Sequence, residues 1–288
     1  MMFQELTDLY TLGDLDKIRS KILHSSSWKQ HEFTAYGNAQ IEKMWLKSLE
    51  LFGFSKVVQS QFIDGKGTSA LYLKLTKSQE KEPISLSIMF EHNQTHIKKV
   101  HCIVDTKSLT KLLQITEQAL LPLLPSVDPL LISQFDHQLH PQSYHAVPSD
   151  ICTLPANISS AVEAWWHIWQ ANQVASFNEI YAKDADIFIA GKDSRQNVEQ
   201  LRNYKLYLNN RLGRSYCQLE TISVDEKNSQ VAISWQIDGD FQDIEKTKRL
   251  RVSAHTYLTI ENGKITAEKL LIDWLAIQKR FQLTTSLA

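Results

Sequence analysis

Apolar residues recur along this chain with a period of three to four and then of two, and that succession occurs twice. In the later part, Val162, Trp165, Trp166 and Trp169 share one side of a helical period and predict a helix with a bulky apolar face. Ser160 followed by Glu163 has the form of a capping box and places the start there. Phe177, Ile180 and Tyr181 predict a second short helix, Asp186 to Ile189 a short strand turned at Ala190-Gly191, and Val198, Leu201 and Leu208 a third helix capped by Asp193 or Ser194. Beyond Gly213, Val231, Ile233, Trp235 and Ile237 alternate with smaller or polar residues, as on a half-buried antiparallel strand. Leu250 to Ile260 alternates again, Glu261-Asn262-Gly263-Lys264 makes a hairpin turn, and Ile265 to Trp274 returns as the last strand.

The earlier part repeats this order. Leu15, Ile18 and Ile22 predict a helix, and Ile41, Met44, Trp45, Leu49 and Phe52 another between Gly37 and Gly53. Strand-like runs follow at Val57 to Ile63, Leu71 to Leu75, Ile84 to Phe90 and Ile97 to Val104. Both parts end their last strand on an apolar residue and an aspartate, Val104-Asp105 and Ile272-Asp273, so a unit recurs with a period of about 168 residues. Between the units lie six of the seven prolines, Pro122 to Pro155, in a stretch too rich in Leu, Ile and aromatic residues for a solvated tether. The expected organisation is a first domain at 1–115, an ordered connector at 116–158 with a short helix near 129–138, and a second domain at 159–288. Helices followed by an antiparallel meander make each unit α+β.

Composition narrows the function classes. Lys+Arg number 31 against 32 Asp+Glu, a balance that argues against a protein built chiefly to hold nucleic acid or anionic membrane. No run of about 18 apolar residues is present, and the N-terminus lacks the apolar core of a signal peptide, so a cytoplasmic protein is expected. Cys102, Cys152 and Cys217 stand far apart without paired spacing, which excludes a disulfide framework and gives no zinc motif.

Residues 160–275 resemble the nuclear transport factor 2-like superfamily, particularly its SnoaL-like branch. The resemblance rests on Gln170 to Ile187 (QANQVASFNEIYAKDADI) and on the hairpin Tyr257-Leu-Thr-Ile-Glu-Asn-Gly-Lys-Ile265. Residues 5–105 match more loosely, through Leu12-Gly-Asp-Leu-Asp16 and Gly37-Asn38. The resemblance implies two tandem cones, each with helices packed on a curved antiparallel sheet around an apolar pocket. It also implies carboxylates at two strand positions in proton-shuttling members. Carried onto this chain, those positions are Ile189 and Thr256 in the second half and His31 and Ile88 in the first. A tyrosine used by the isomerases corresponds to Trp165 and Leu6. The catalytic set is therefore incomplete, and the fold alone does not assign chemistry.

The residue types left to carry function are few. Trp165, Trp169, Phe188, Trp235, Thr256 and Trp274 form the expected wall of a pocket for a small hydrophobic or aromatic ligand, or else fill the second cone as core. His255, with Asp273 to orient it, is the acid–base candidate for a cyclase, isomerase or dehydratase. Its strand face, shared with Arg251, Ser253 and Tyr257, also suits an interface between the two domains, which would make the chain a monomer acting as an intramolecular pseudo-dimer. His31-Glu32 reads as structure or surface. Arg195, Arg202, Lys205, Arg211 and Arg214 read as a solvated basic helix side, or else as a patch for an acidic ligand or a protein partner. No cofactor or metal motif is present.

Overall fold

Proline, glycine and asparagine set the element boundaries. The computed structural model describes residues 2–31, 33–52, 56–77, 82–93, 95–120, 123–124, 146–171, 174–192, 195–212, 215–242 and 247–275. In the first half, α1 (Met2–Leu12) and α2 (Leu15–Arg19) lead into β1 (Ile22–Gln30), β2 (Phe33–Tyr36) and α3 (Gly37–Phe52). A meander follows, formed by β3 (Lys56–Asp64), β4 (Thr68–Thr76), β5 (Ile84–His92) and β6 (Ile97–Val104). After α4 (Thr106–Leu113), α5 (Glu117–Leu120) and α6 (Ser149–Cys152), the second half repeats the series. It comprises α7 (Ala156–Ala171), α8 (Phe177–Ile180), β7 (Tyr181–Ile189), α9 (Val198–Leu212) and a meander of β8 (Ser215–Asp225), β9 (Gln230–Gln242), β10 (Thr247–Glu261) and β11 (Lys264–Ile272).

The sheets run β2-β1-β6-β5-β4-β3 and β7-β11-β10-β9-β8. Each meander is antiparallel and gains one parallel neighbour, β1 on β6 and β7 on β11. The α+β arrangement of two helix-covered sheets expected from the sequence is therefore present. Several boundaries differ from expectation, each for a local reason. Pro155, whose carbonyl accepts from the Ile158 and Ser159 amides at 2.8 and 2.9 Å, starts α7 four residues before Ser160. Asn197 caps α9, its side chain accepting from the Gln200 amide at 2.9 Å while Gln200 returns a bond to the Asn197 amide at 2.8 Å; Asp193 and Ser194 lie outside the described residues. Ile22 and Tyr181 open strands rather than close helices. The helix expected near 129–138 also lies outside the described residues.

The two sheets face each other. One apolar core lies beneath the helices of each half, and a third cluster that includes Tyr72, Met89, Ile103, Tyr257 and Leu271 lies between the sheets. The layers run helix, sheet, sheet, helix. Strand β9, expected from its alternation to be half-buried, is covered on both faces, as is β5, because the opposite sheet replaces solvent.

The seam has the pattern of an isologous contact. Tyr72, Ser87 and Ile103 form one row across β4, β5 and β6, and Ser234, His255 and Leu271 form the equivalent row across β9, β10 and β11. Ser87 Oγ meets His255 Nδ1 at 2.7 Å, so equivalent positions touch each other, as happens on a two-fold axis. Ser87 Oγ also bonds Tyr257 Oη at 2.8 Å. Away from the axis the contacts come in pairs. His101 of β6 reaches Ser234 at 3.2 Å, and Lys269, its counterpart on β11, places its ammonium 4.9 Å from the centre of the Tyr72 ring. The strand-ending aspartates do the same: Asp105 Oδ2 accepts from the Gly191 amide at 2.9 Å, and Asp273 Oδ1 lies 3.1 Å from His31 Nδ1. Both loop residues adopt left-handed backbones, Gly191 at φ 80° and His31 at φ 55°.

Two predictions follow from this seam. Gly191→Ala places a side chain on a left-handed backbone, with its Cβ 2.9 Å from Lys107 Cδ, and should cost about 1–2 kcal/mol in chemical denaturation. Burial lowers the pKa of both His101 and His255, with each facing the other, Glu220 and Lys29. The unfolded chain then binds protons first at these histidines as pH falls below 6.5, so their contribution to stability is full above that value and declines below it, by at most about 1.4 kcal/mol per pH unit per histidine. Urea titrations of the parent and of His255→Gln at stepwise lower pH should show the difference between the two shrinking as pH falls.

Candidate functional site

The second core is built around indoles. Trp165 and Trp169 of α7 meet Trp235 of β9 at ring-centre distances of 5.5 and 4.9 Å, the first pair edge to face. Trp235 Nε1 donates to Thr256 Oγ1 at 3.0 Å, so these four expected residues stand together. Trp274 lies in the same core, edge-on to Tyr204 at 5.9 Å. Phe188 does not join them. Ile187 and Ile189 take the inner face of β7, and strand alternation turns Phe188 to the seam, where it packs on Tyr72 at 6.2 Å and under Lys74 Nζ at 4.6 Å. His255 also faces the seam, with Ser87 as its partner, while Asp273 serves His31; the expected His255–Asp273 pair is not formed.

A buried carboxyl that strand alternation alone does not reveal, Glu268, lies beside these indoles. It is fully buried, with Oε1 accepting from Trp165 Nε1 at 3.2 Å and Oε2 accepting a short bond from the Tyr181 hydroxyl. Tyr181 is held in turn by stacking on Phe177 at 5.6 Å. Counting alternate residues from the inward Ile265 puts Glu268 on the outside of β11. A bulge intervenes: Ile265 pairs Ile260 and Ala267 pairs Thr259, so Thr266 is the extra residue and Glu268, Leu270 and Ile272 point inward. Both of its donors are neutral. Burial raises the carboxyl to about 7, partly opposed by the bonds from Tyr181 and Trp165. Such a group holds or releases a proton near neutral pH.

A second ionisable group lies in the same core. The α9 positions Leu201, Tyr204, Lys205 and Leu208 repeat the spacing of Ile41, Met44, Trp45 and Ser48 on α3, so Lys205 occupies a core position where the first half has Trp45. Lys205 is therefore buried rather than part of a solvated basic side. Its ammonium donates to the Trp169 carbonyl at 2.9 Å, 5.0 Å from the centre of that residue's ring, and burial lowers its pKa. Three further polar atoms of this core, Trp166 Nε1, Trp169 Nε1 and Tyr204 Oη, are buried without a hydrogen-bond partner.

Among the described residues no group of three or more His, Cys, Asp and Glu is placed to hold a metal ion. No described helix is long and apolar enough to cross a membrane. Burial pushes the Cys102 and Cys217 thiols up to about 12, which leaves neither as a thiolate nucleophile.

No family model matches the sequence, and neither does any curated protein. Similar solved structures include a protein named as a polyketide cyclase from Bacillus cereus, at 18% identity over 45% of this chain and 83% of that one, with a TM-score of 0.39. Another, from Jannaschia sp. CCS1 and named as a SnoaL-like polyketide cyclase, shares 13% identity over 46% of this chain and 98% of its own, at 0.39. A third, from Acidithiobacillus ferrooxidans and named as a polyketide cyclase, shares 11% over 46% and 99%, at 0.40.

Proposed function

We propose that the second half binds a small, planar, mainly apolar molecule among its tryptophans, with the Glu268 carboxyl meeting the ligand's polar group. The observation that carries this reading is the cost of Glu268. An ionised carboxylate buried beside neutral donors lowers stability, and an apolar residue would serve the core better. A group kept against its own folding cost is a functional candidate. The unpartnered indole N–H groups and the Tyr204 hydroxyl supply further sites for a ligand's acceptors. On this reading the first half faces the second across the seam, and the chain works as a monomer.

A second reading is favoured by the carboxyl's raised value and by the Tyr181 hydroxyl bonded to it. Together they form an acid–base pair for proton transfer at a carbonyl compound, in place of the one expected from His255 and Asp273.

Two measurements test the proposal. Native mass spectrometry of freshly purified protein should show one chain with a stoichiometric excess mass, lost in Glu268→Gln; a bare chain that also binds no added planar compounds contradicts it. In stability, Glu268 is neutral in both states below pH 4.5, and its folding penalty grows as pH rises to about 7. Glu268→Gln should therefore be more stable than the parent at pH 8 by up to about 3 kcal/mol, and equally stable at pH 4.

A further inference from the structure

Two histidines face each other across the seam from opposite halves. His101 of β6 and His255 of β10 are both buried and stand edge to face, with ring centres 4.6 Å apart. His101 Nδ1 lies 3.1 Å from Glu220 Oε2 and 3.2 Å from Ser234 Oγ. A carboxylate only accepts, so the neutral ring carries its proton on Nδ1 and an incoming proton goes to Nε2. His255 Nδ1 is taken by Ser87 Oγ at 2.7 Å. The Nε2 atoms of both rings are buried without a hydrogen-bond partner, so a cationic ring at either position has no acceptor for its Nε2–H.

The charges around the pair already balance. Glu220 of β8 lies 3.6 Å from Lys29 Nζ of β1, which also donates to Ser253 Oγ at 3.1 Å. Asp273, at the end of β11, is engaged by His31 at 3.1 Å. Ser87, Ser234 and Tyr257 add neutral hydroxyls. Lys99 and Glu91 pair with each other at 3.6 Å on the exposed side of the cleft that leads in to His101. Protonating both rings therefore adds two positive charges, one on each half, with Glu220 already matched by Lys29. Burial disfavours both cations while the seam is closed, and His101 adds to the effect on His255. Once the seam opens, both rings return toward the ordinary 6.5, so the open form takes up protons first as pH falls.

We infer that His101 and His255 form an acid-operated latch: at weakly acidic pH both rings become cationic, repel each other across the seam, and part the two sheets while each half stays folded. Each half encloses an apolar core of its own, and the apolar cluster between the sheets is the smaller one. The other end of the seam keeps its partners in acid, because His31 faces the Asp273 carboxylate and Leu275 is buried in the first core. Parting the sheets uncovers Tyr72, Ile103, Tyr257 and Leu271, an apolar face hidden at neutral pH.

The test is thiol labelling of the full chain carrying Ala232→Cys, with dithiodipyridine at pH 7.5 and pH 5, read peptide by peptide in a mass spectrometer. Ala232 is buried in the seam, Cys102 and Cys217 are buried in the cores of the two halves, and exposed Cys152 supplies the reference rate at each pH. Relative to Cys152, labelling of the introduced thiol should rise at least about tenfold in acid, while Cys102 and Cys217 stay protected. Ile103→Cys, on a strand of the other sheet, should report the same rise. His101→Gln and His255→Gln should each reduce it, and the two together should abolish it; protection of Cys102 and Cys217 at pH 7.5 shows that a variant is folded. An introduced thiol that stays protected at pH 5, exposure of all the buried thiols together, or an undiminished rise in a folded histidine variant overturns the inference.

Discussion

Everything in the arrangement depends on two sheets being pressed face to face. A lone antiparallel sheet with helices on one side can leave its other side in water. Here neither does, so polar residues on the seam need partners within the protein, and several find them in the opposite half. Ser87, His255, Tyr257, His101, Ser234 and the two strand-ending aspartates are all used in this way. Equivalent positions meet at the axis, and off-axis contacts recur in pairs. A duplicated unit that contacts itself has this geometry, and one chain supplies both copies of the contact.

The seam also releases the two cores from identical duties. Core positions equivalent in the fold hold Trp45 in one half and Lys205 in the other, and the strand-ending aspartates serve His31 in one loop and the Gly191 amide in the other. In the second core, Glu268 and Lys205 stand on either side of the Trp165–Trp169–Trp235 group without being paired to each other. A core selected only for packing would have replaced both by apolar residues. Both groups stand in the interior of the second half, whereas the hydrogen bonds between the halves lie on the seam.

Much of this was legible in the sequence. The meander strands of both halves, the helix after Gly37 and the Asn262-Gly263 turn follow from local period and turn chemistry, and the repeated apolar–aspartate strand end disclosed the duplication. The mixed face of Arg251, Ser253, His255 and Tyr257 indicated the seam. What failed depended on long-range geometry. The initial helix α1 and strand β1 were missed because their burial comes from the rest of the first half. Phe188 was misplaced because apolar residues on both faces of β7 hide its parity. Glu268 was hidden by the bulge at Thr266, which inverts the face of every later residue in β11. Lys205 looked solvated because no local pattern marks a lysine that is to be buried over an indole.

The central claim is that the second core holds a carboxylic acid poised near neutrality. Infrared difference spectroscopy across a pH titration, with Glu268→Gln as the reference, reports that proton directly. A protonated carboxyl band should persist through weakly acidic pH, fade with a midpoint near 7 and be absent from the variant. A midpoint close to the ordinary 4.5 would mean that the site is solvated or charge-paired, and would contradict the account.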